Sequence, residues 1–548
     1  MTDMRRTFLW VVFTMSLVLL WDGWNKHNGK PSMFSPTPAN VVAAGSAPGG
    51  ALPAASGAGA SAVAASGAAS VPLASQTVHI KTDLLSATLD TKGGSLTRVE
   101  LLAHNDEAEK SGHVVVLDGS SAHQYVAETG LVGITGAPNH FTLMSLVSAD
   151  TELKSGVNEL NVRFESPESG GLKLVKTYTF KRGEYQIGVK HEVVNTSAAA
   201  VSPQLYVQLV RNGDAAPGAS SFYSTFTGPA VFFDKFTKVE FSEIEKRKAS
   251  DVPDYPKTAA SGWVAMVQHY FVSAWLRNAT GEREFYTKKV ADNLYSVGMV
   301  FGLGTIAPGA TGTAQDVLYI GPQEEKKLQA IAPGLERVKD YGMFHIVAQP
   351  LFTLMSYLHS LLGNWGWSIV ALVVLLKIAF YWLNASAYRS MAKMKAVNPR
   401  IQEMRERLKD KPQQMQQEMM RIYKEEKINP LGGCLPIFVQ MPVFIALYWV
   451  LLSSVEMRHA PWALWIHDLS AKDPLFILPL VMMATSLVQV WLQPAPADPM
   501  QAKMMWFMPI AFGVMFFFFP AGLTLYYCVN NILTIAQQWF INKRMGVN

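Results

Sequence analysis

Charge is scarce in this chain. Asp, Glu, Lys and Arg together make up 16% of its 548 residues, against about 25% in soluble globular proteins. Hydrophobic residues reach 49%. That balance argues against a wholly soluble protein and excludes a disordered or fibrous one. Cysteine is almost missing: Cys434 and Cys528 are the two present, both in apolar runs. This leaves no disulfide framework and no Cys-x-x-Cys for zinc or redox work. A surplus of one sign is missing too. A net charge of +5 is too mild to argue for a specific nucleic-acid partner.

Catalytic signatures are equally thin. Five residues separate Gly23 from Gly29-Lys30 where a P-loop has four, and Pro31 follows where Ser or Thr is needed. His191-Glu192 is followed by Asn195 where a zincin needs its second His, within a strand-like pattern. No Gly-x-Ser-x-Gly elbow occurs. His459 and His467 lack Cys or carboxylate at metal-ligand spacing and read as solvated loop histidines. The expectation is no metal, no cofactor and no bond-making chemistry.

Uninterrupted apolar runs are what the chain has instead. A bilayer core takes about 20 helical residues. Runs occur at Thr7–Trp21, Trp367–Leu383, Cys434–Val455, Leu475–Leu492, Trp506–Phe519 and Leu523–Ile541. The first carries a basic flank, Arg5-Arg6, like a signal peptide. Trp21, Asp22, Gly23 and Trp24 stand where small cleavage-site residues belong, so an uncleaved anchor is the better reading. Segment 389–433 carries eleven Lys/Arg, whereas 457–473 has only Arg458 and Lys472. The positive-inside rule then makes 389–433 and both termini cytoplasmic and puts 25–365 on the far side. The expected fold is a polytopic α-helical membrane protein with six transmembrane helices, five forming the core.

Residues 31–76 contain no charge and are dominated by Ala, Gly, Ser and Pro, which marks a flexible linker. Period-two alternation follows. Leu172, Leu174, Tyr178 and Phe180 line one face, Arg182-Gly183 supplies a turn, and Tyr185, Ile187, Val189 and Val193 line the next strand. Leu85, Ala87 and Leu89 before Lys92-Gly93-Gly94 repeat the theme. This predicts a large antiparallel β-sandwich. The expected domains are an anchor at 1–24, a linker at 25–76, the β-sandwich at 77–323, an interfacial amphipathic helical segment at 324–365 broken by Pro333 and Pro350, and a core at 366–548.

Polar residues inside the apolar runs carry the functional signal. Lys377 sits near the middle of the second run, where a Lys costs about 2.5–3.5 kcal/mol or more. Tyr381, Asn384 and Tyr388 continue its helical face at spacings of 4, 3 and 4. The last run repeats the design with Thr524, Tyr527, Asn531, Thr534 and Gln538, and Gln440, Thr485, Gln489 and Gln493 add to it. Interhelical glue is one reading of these stripes. Lys377, with no membrane-embedded carboxylate to pair with, favours the other: a hydrated cavity. The cytoplasmic segment reads as a charged helical hairpin. It opens at Asn398-Pro399 and divides at Lys411-Pro412. Met404, Met415 and Met419 fit its seam, whereas Met391, Met394 and Met420 exceed what a seam needs. A seam and a capture surface for apolar segments both stay open.

Several stretches resemble the YidC/Oxa/Alb membrane insertases, in the Gram-negative YidC form. They are Asn429-Pro430-Leu431-Gly432-Gly433-Cys434-Leu435-Pro436 running on through Gln440-Met441-Pro442, Met391-Ala392-Lys393-Met394, Ala463 to Leu469, and Pro520-Ala521-Gly522-Leu523 before Tyr526-Tyr527. The resemblance covers essentially the whole chain. It implies a bacterial inner-membrane protein with a periplasmic β domain that inserts nascent membrane proteins through a groove open to cytoplasm and lipid. Its partners would be the Sec translocon, the ribosome and the lipid bilayer. Lys377 stands where the family often has Arg, which keeps the charge but loses the guanidinium fork. Implied groove residues are Lys377, Tyr381, Asn384, Gln440, Gln489, Thr524, Tyr527, Asn531 and Thr534. Those of the capture hairpin are Met391, Met394, Met404, Met415 and Met419. An ion- or proton-coupled transporter is the alternative, although no internal repeat supports it.

Overall fold

The computed structural model describes residues 52–53, 75–106, 112–215, 225–248, 250–408, 411–426, 435–493 and 499–544. The first apolar run, nearly all of the linker, and the Asn429–Cys434 stretch lie outside these residues. The described chain divides into two compact units, with the boundary between Val338 and Lys339.

The β unit is built from two nine-stranded antiparallel sheets. Its strands form where alternation is cleanest. In Leu172–Lys181 and Gln186–Asn195, which pair with each other, Leu172, Leu174, Tyr178, Phe180, Ile187, Val189 and Val193 are all buried. Gly183 turns the hairpin at φ +73°, a conformation that glycine adopts without a Cβ penalty. In Leu85–Asp90 the inward face is Leu85, Ala87 and Leu89. The sheets bury a core in which Trp275 is 1% exposed and its indole Nε1 donates to Gln208 O at 3.1 Å. Two short helices, α1 (Phe241–Lys246) and α2 (Glu325–Ile331), belong to this unit.

The helical unit holds α3 (His345–Leu362), α4 (Trp365–Ala379), α5 (Tyr381–Arg407), α6 (Pro412–Glu425), α7 (Leu435–Ser453), α8 (Ile477–Leu492), α9 (Pro499–Phe516) and α10 (Ala521–Arg544). α3 packs on α4 and α7, and α8 packs on both α9 and α10. The segment expected as one interfacial stretch, 324–365, is thus shared: α2 belongs to the β unit and α3 to the helical unit.

Three sequence expectations change. The run Trp367–Leu383 is not one straight helix; α4 and the first part of α5, Tyr381–Ser390, meet at 64° around Phe380, with no Pro or Gly at the bend. Pro399 does not open a helix but lies inside α5, and Pro350 lies inside α3. An interior proline forfeits one i→i−4 hydrogen bond. Here α5 packs against α10 and α6, with Val397 and Ile401 on either side of Pro399 both in the cluster with Ile422 of α6, and α3 packs against α4 and α7.

No single helix among the described residues is long and apolar enough to cross a membrane, whereas the bent pair qualifies by length and composition. The reasons are local. α8 has 16 residues, or about 24 Å at 1.5 Å each. α10 is long enough, but Asn530, Asn531, Gln537 and Gln538 dilute its apolar content.

Candidate functional site

Lys377 stands on the last turn of α4, half-buried, just before the bend. Its Nζ donates to Thr534 Oγ1 of α10 at 2.7 Å. A recess opens beside it, lined by Val373 and Leu376 of α4, Phe380 at the bend, Asn384 of α5, Gln440 of α7, and Asn530 of α10. Gln440 Nε2 donates to Asn530 Oδ1 at 3.3 Å, and Thr534 Oγ1 donates back to Asn530 O at 2.6 Å. With Tyr526 of α10 also in the lining, four helices therefore bring one cation and five neutral polar side chains to a single place. Among the described residues Lys377 has no carboxylate partner. Glu456, the acidic residue nearest the apolar runs, pairs instead with Lys339 at 3.0 Å. An ammonium has three donors, and a hydroxyl satisfies one of them without neutralising the charge. The site can hold acceptor groups, anionic ones above all.

The structure divides the polar stripe of α10. Thr534 and the unpredicted Asn530 face Lys377 and Gln440. Asn531 faces α8, donating to Thr485 Oγ1 at 3.3 Å and Ser486 Oγ at 2.9 Å, while Gln489 Nε2 donates to Asn531 O at 3.2 Å. Gln538 adds a bond to Leu492 O at 3.2 Å. Gln489, Asn531 and Gln538 are thus seam residues between two helices. Thr524 is buried and donates to Pro520 O of its own chain segment. Tyr527 sits in an aromatic cluster, its ring 4.8 Å from Phe444 and 4.5 Å from Phe516. Tyr381 is exposed at 46%, outside the recess lining. Spacings of 3 and 4 place residues within about 60° of one another. That tolerance spans two neighbouring helices, so the stripe alone does not sort them.

In the hairpin of α5 and α6, Ile401, Met404 and Ile422 form the buried core, with Met415 and Met419 packed against it. Met394 is half-buried and Met420 is exposed at 54%. The side chain of Met391 lies outside the described ones.

A second polar cluster lies in the β unit. Lys176 is fully buried and donates to Gly93 O at 2.6 Å and Thr129 O at 2.7 Å; burial pulls its amine down to about 7. Burial likewise pushes the Glu128 carboxyl up to about 7, against the lowering effect of the Gln208 amide at 2.7 Å. Burial holds the His191 imidazole well below its ordinary range. Lys176 and His191 both bond to Thr129, Glu128 bonds to Gln208, and Lys176, Glu128 and His191 are each under 10% exposed. The recess around Lys377 is the better candidate because its ammonium keeps unused donors beside a small polar recess.

Residues 77–354 match the family of the YidC periplasmic domain, and residues 357–547 match the 60Kd inner membrane protein family. The chain is 50% identical to the membrane protein insertase YidC of Janthinobacterium sp. (strain Marseille), covering 100% of each. It is 52% identical to that of Ralstonia nicotianae (strain ATCC BAA-1114 / GMI1000), covering 100% of this chain and 99% of the relative. The crystal structure of an active YidC insertase with its first transmembrane domain resolved is similar at 16% identity and a TM-score of 0.38, over 85% of this chain and 92% of that one. The two family matches define an inner-membrane protein with a periplasmic domain. The chain belongs to the YidC family of membrane protein insertases.

Proposed function

We propose that the chain inserts nascent membrane proteins by lending their polar segments the recess around Lys377 while their apolar helices pass into lipid. The barrier to be lowered is the transfer of polar groups into hydrocarbon, where each unsatisfied backbone group costs several kcal/mol. Neutral hydrogen-bonding side chains part-way across shorten that barrier, and the ammonium attracts acidic groups in the passing segment. The apolar helix then leaves sideways, driven by its own burial at about 25 cal/mol per Å². The observation that carries this reading is the Lys377 Nζ held by a hydroxyl, with no carboxylate pair among the described residues. The bond chemistry of the substrate stays unchanged, so the chain acts as a catalyst of insertion and not as an enzyme. The relatives lend no support to the alternative of a coupled transporter.

In this reading the chain crosses the membrane six times with five core helices, both termini are cytoplasmic, and the hairpin of α5 and α6 meets substrate emerging from the ribosome, with or without the Sec translocon. Met394 and Met420 are the thioethers available for capture, since Met404, Met415 and Met419 are engaged in the seam. Replacing 398–427 by a short Gly/Ser loop should lower nascent-chain crosslinks at Tyr527. Persistence at parental yield makes the hairpin a spacer only. The recess is tested by Lys377→Arg, expected to insert at the parental level, and Lys377→Glu, expected to impair substrates with acidic translocated tails. Equal insertion by the Glu variant, at matched expression in proteoliposomes, would remove the electrostatic role.

A further inference from the structure

The segment between α7 and α8 is short, yet it gathers the ends of several helices at the end of the unit opposite the hairpin. Asn364 caps α4 by accepting from Trp367 N, and its Nδ2 donates to Pro461 O and Trp462 O, each at 3.1 Å. Gly366 lies so close to Trp462 that a Cβ would stand 2.3 Å from the indole. The first amides of α10 are held in the same way: Ala521 N donates to Ala471 O at 2.7 Å, and Gly522 N to Leu469 O at 2.8 Å. Glu456 ties in Lys339, whose Nζ lies 3.6 Å from the centroid of the α3 ring Phe352.

One side chain closes this segment on itself and on α8. Asp473 is 2% exposed. Its Oδ1 accepts from Trp465 Nε1 at 2.9 Å and Leu475 N at 3.0 Å, and its Oδ2 accepts from Leu478 N at 2.7 Å. A buried carboxylate with three donors is stable only while all three are in place, because each loss leaves part of a charge unsolvated. The carboxylate therefore couples the fold of the segment to the start of α8.

We propose that Asp473 is a positioning residue for insertion: it holds segment 454–473 as a clasp across α4, α8 and α10, and so sets where Thr534 meets Lys377. The inference rests on the functional reading of Lys377 above. The lever is direct. Thr534 lies thirteen residues along α10 from Ala521, about 20 Å at 1.5 Å per residue. α10 is bonded to α8 along that length, from Cys528 Sγ to Leu478 O at 3.2 Å to Gln538 Nε2 to Leu492 O. α8 and α10 thus move as one body, and α4 joins them through the clasp. A small tilt at the clasp becomes a displacement at Lys377 large enough to break a 2.7 Å bond.

The test uses the full chain in lipid vesicles, with Cys434→Ser and Cys528→Ser as background. Spin labels at Leu375→Cys of α4 and Ile532→Cys of α10 report the separation of these helices. Both side chains are exposed and outside the recess lining. Asp473→Asn keeps the shape but sets a donor against Leu478 N. It should broaden or shift the distance distribution and lower insertion by label-free protein about tenfold. Trp465→Phe removes a single donor and should act in the same direction by about threefold; it carries the test if the Asn variant does not accumulate. Distances unchanged in both variants, with or without loss of insertion, overturn the positioning role. Shifted distances with insertion at the parental rate instead overturn the functional reading of Lys377, because its geometry is then irrelevant.

Discussion

In the β unit large apolar side chains point inward, and in the helical unit many of them point out. Trp275, Phe164, Phe180 and Leu318 of the β unit are each no more than 1% exposed. On α5, α8 and α9, Trp382, Trp491 and Phe507 are exposed at 82%, 69% and 66%. The polar residues run the other way. Asn384, Thr524, Asn531 and Gln538 are buried between helices, while the β unit turns most of its charge to the surface. The same burial rule with a different solvent produces both patterns: apolar surface avoids water, but it has no reason to avoid lipid. A polar recess such as that at Lys377 is therefore an interior feature of the helical unit, whereas in the β unit a buried Lys needs a closed set of acceptors.

The contrast can be broken at its strongest point. Trp275→Ala should cost the β unit about 3–5 kcal/mol, through the cavity left and the orphaned Gln208 carbonyl, while insertion stays at the parental level. Calorimetry of the full chain in detergent, run beside an insertion assay, would show whether the two properties separate. Loss of insertion in step with stability would mean that the units depend on each other. The next largest effect distinguishes the two solvents. Phe507→Asp should cost about 2.5–3.5 kcal/mol in a bilayer, and Val252→Asp, at a position 88% exposed in the β unit, should stay within about 0.5 kcal/mol. Equal costs, measured by unfolding in bicelles, would mean that α9 does not face lipid.

The smallest effect concerns the buried lysine of the β unit. Burial in the folded state pulls the Lys176 amine from its ordinary 10.5 down to about 7. Between those values the unfolded state binds one more proton, so stability rises with pH by up to about 1.4 kcal/mol per unit. Glu128, raised from 4.5 to about 7, acts below that window and in the opposite sense. Lys176→Met should flatten the rise between pH 7 and 9.5 in denaturant titrations. A slope that survives the substitution would assign the titration to another group.

Local pattern was enough wherever one residue's role follows from its near neighbours in the chain. Alternation sets a strand because successive side chains fall on opposite faces, so Leu85 to Leu89 and the hairpin at Gly183 were readable directly. Apolar length located α7, α8, α9 and α10. The lone cation Lys377 announced a polar interior, and the motifs from Met391 and from Gln440 placed the chain in its family. Tertiary structure decided what depends on a neighbour distant in sequence. It assigned Asn531 to a seam and Asn530 to the recess, although both fit the same spacing within helical tolerance. It bent α4 against α5 where no Pro or Gly warned of it, and carried α5 through Pro399. It paired Lys339 with Glu456, 117 positions apart, and drew three donors onto Asp473. A spacing rule records the angle of a side chain around its own helix; which helix stands at that angle is fixed only when the elements pack.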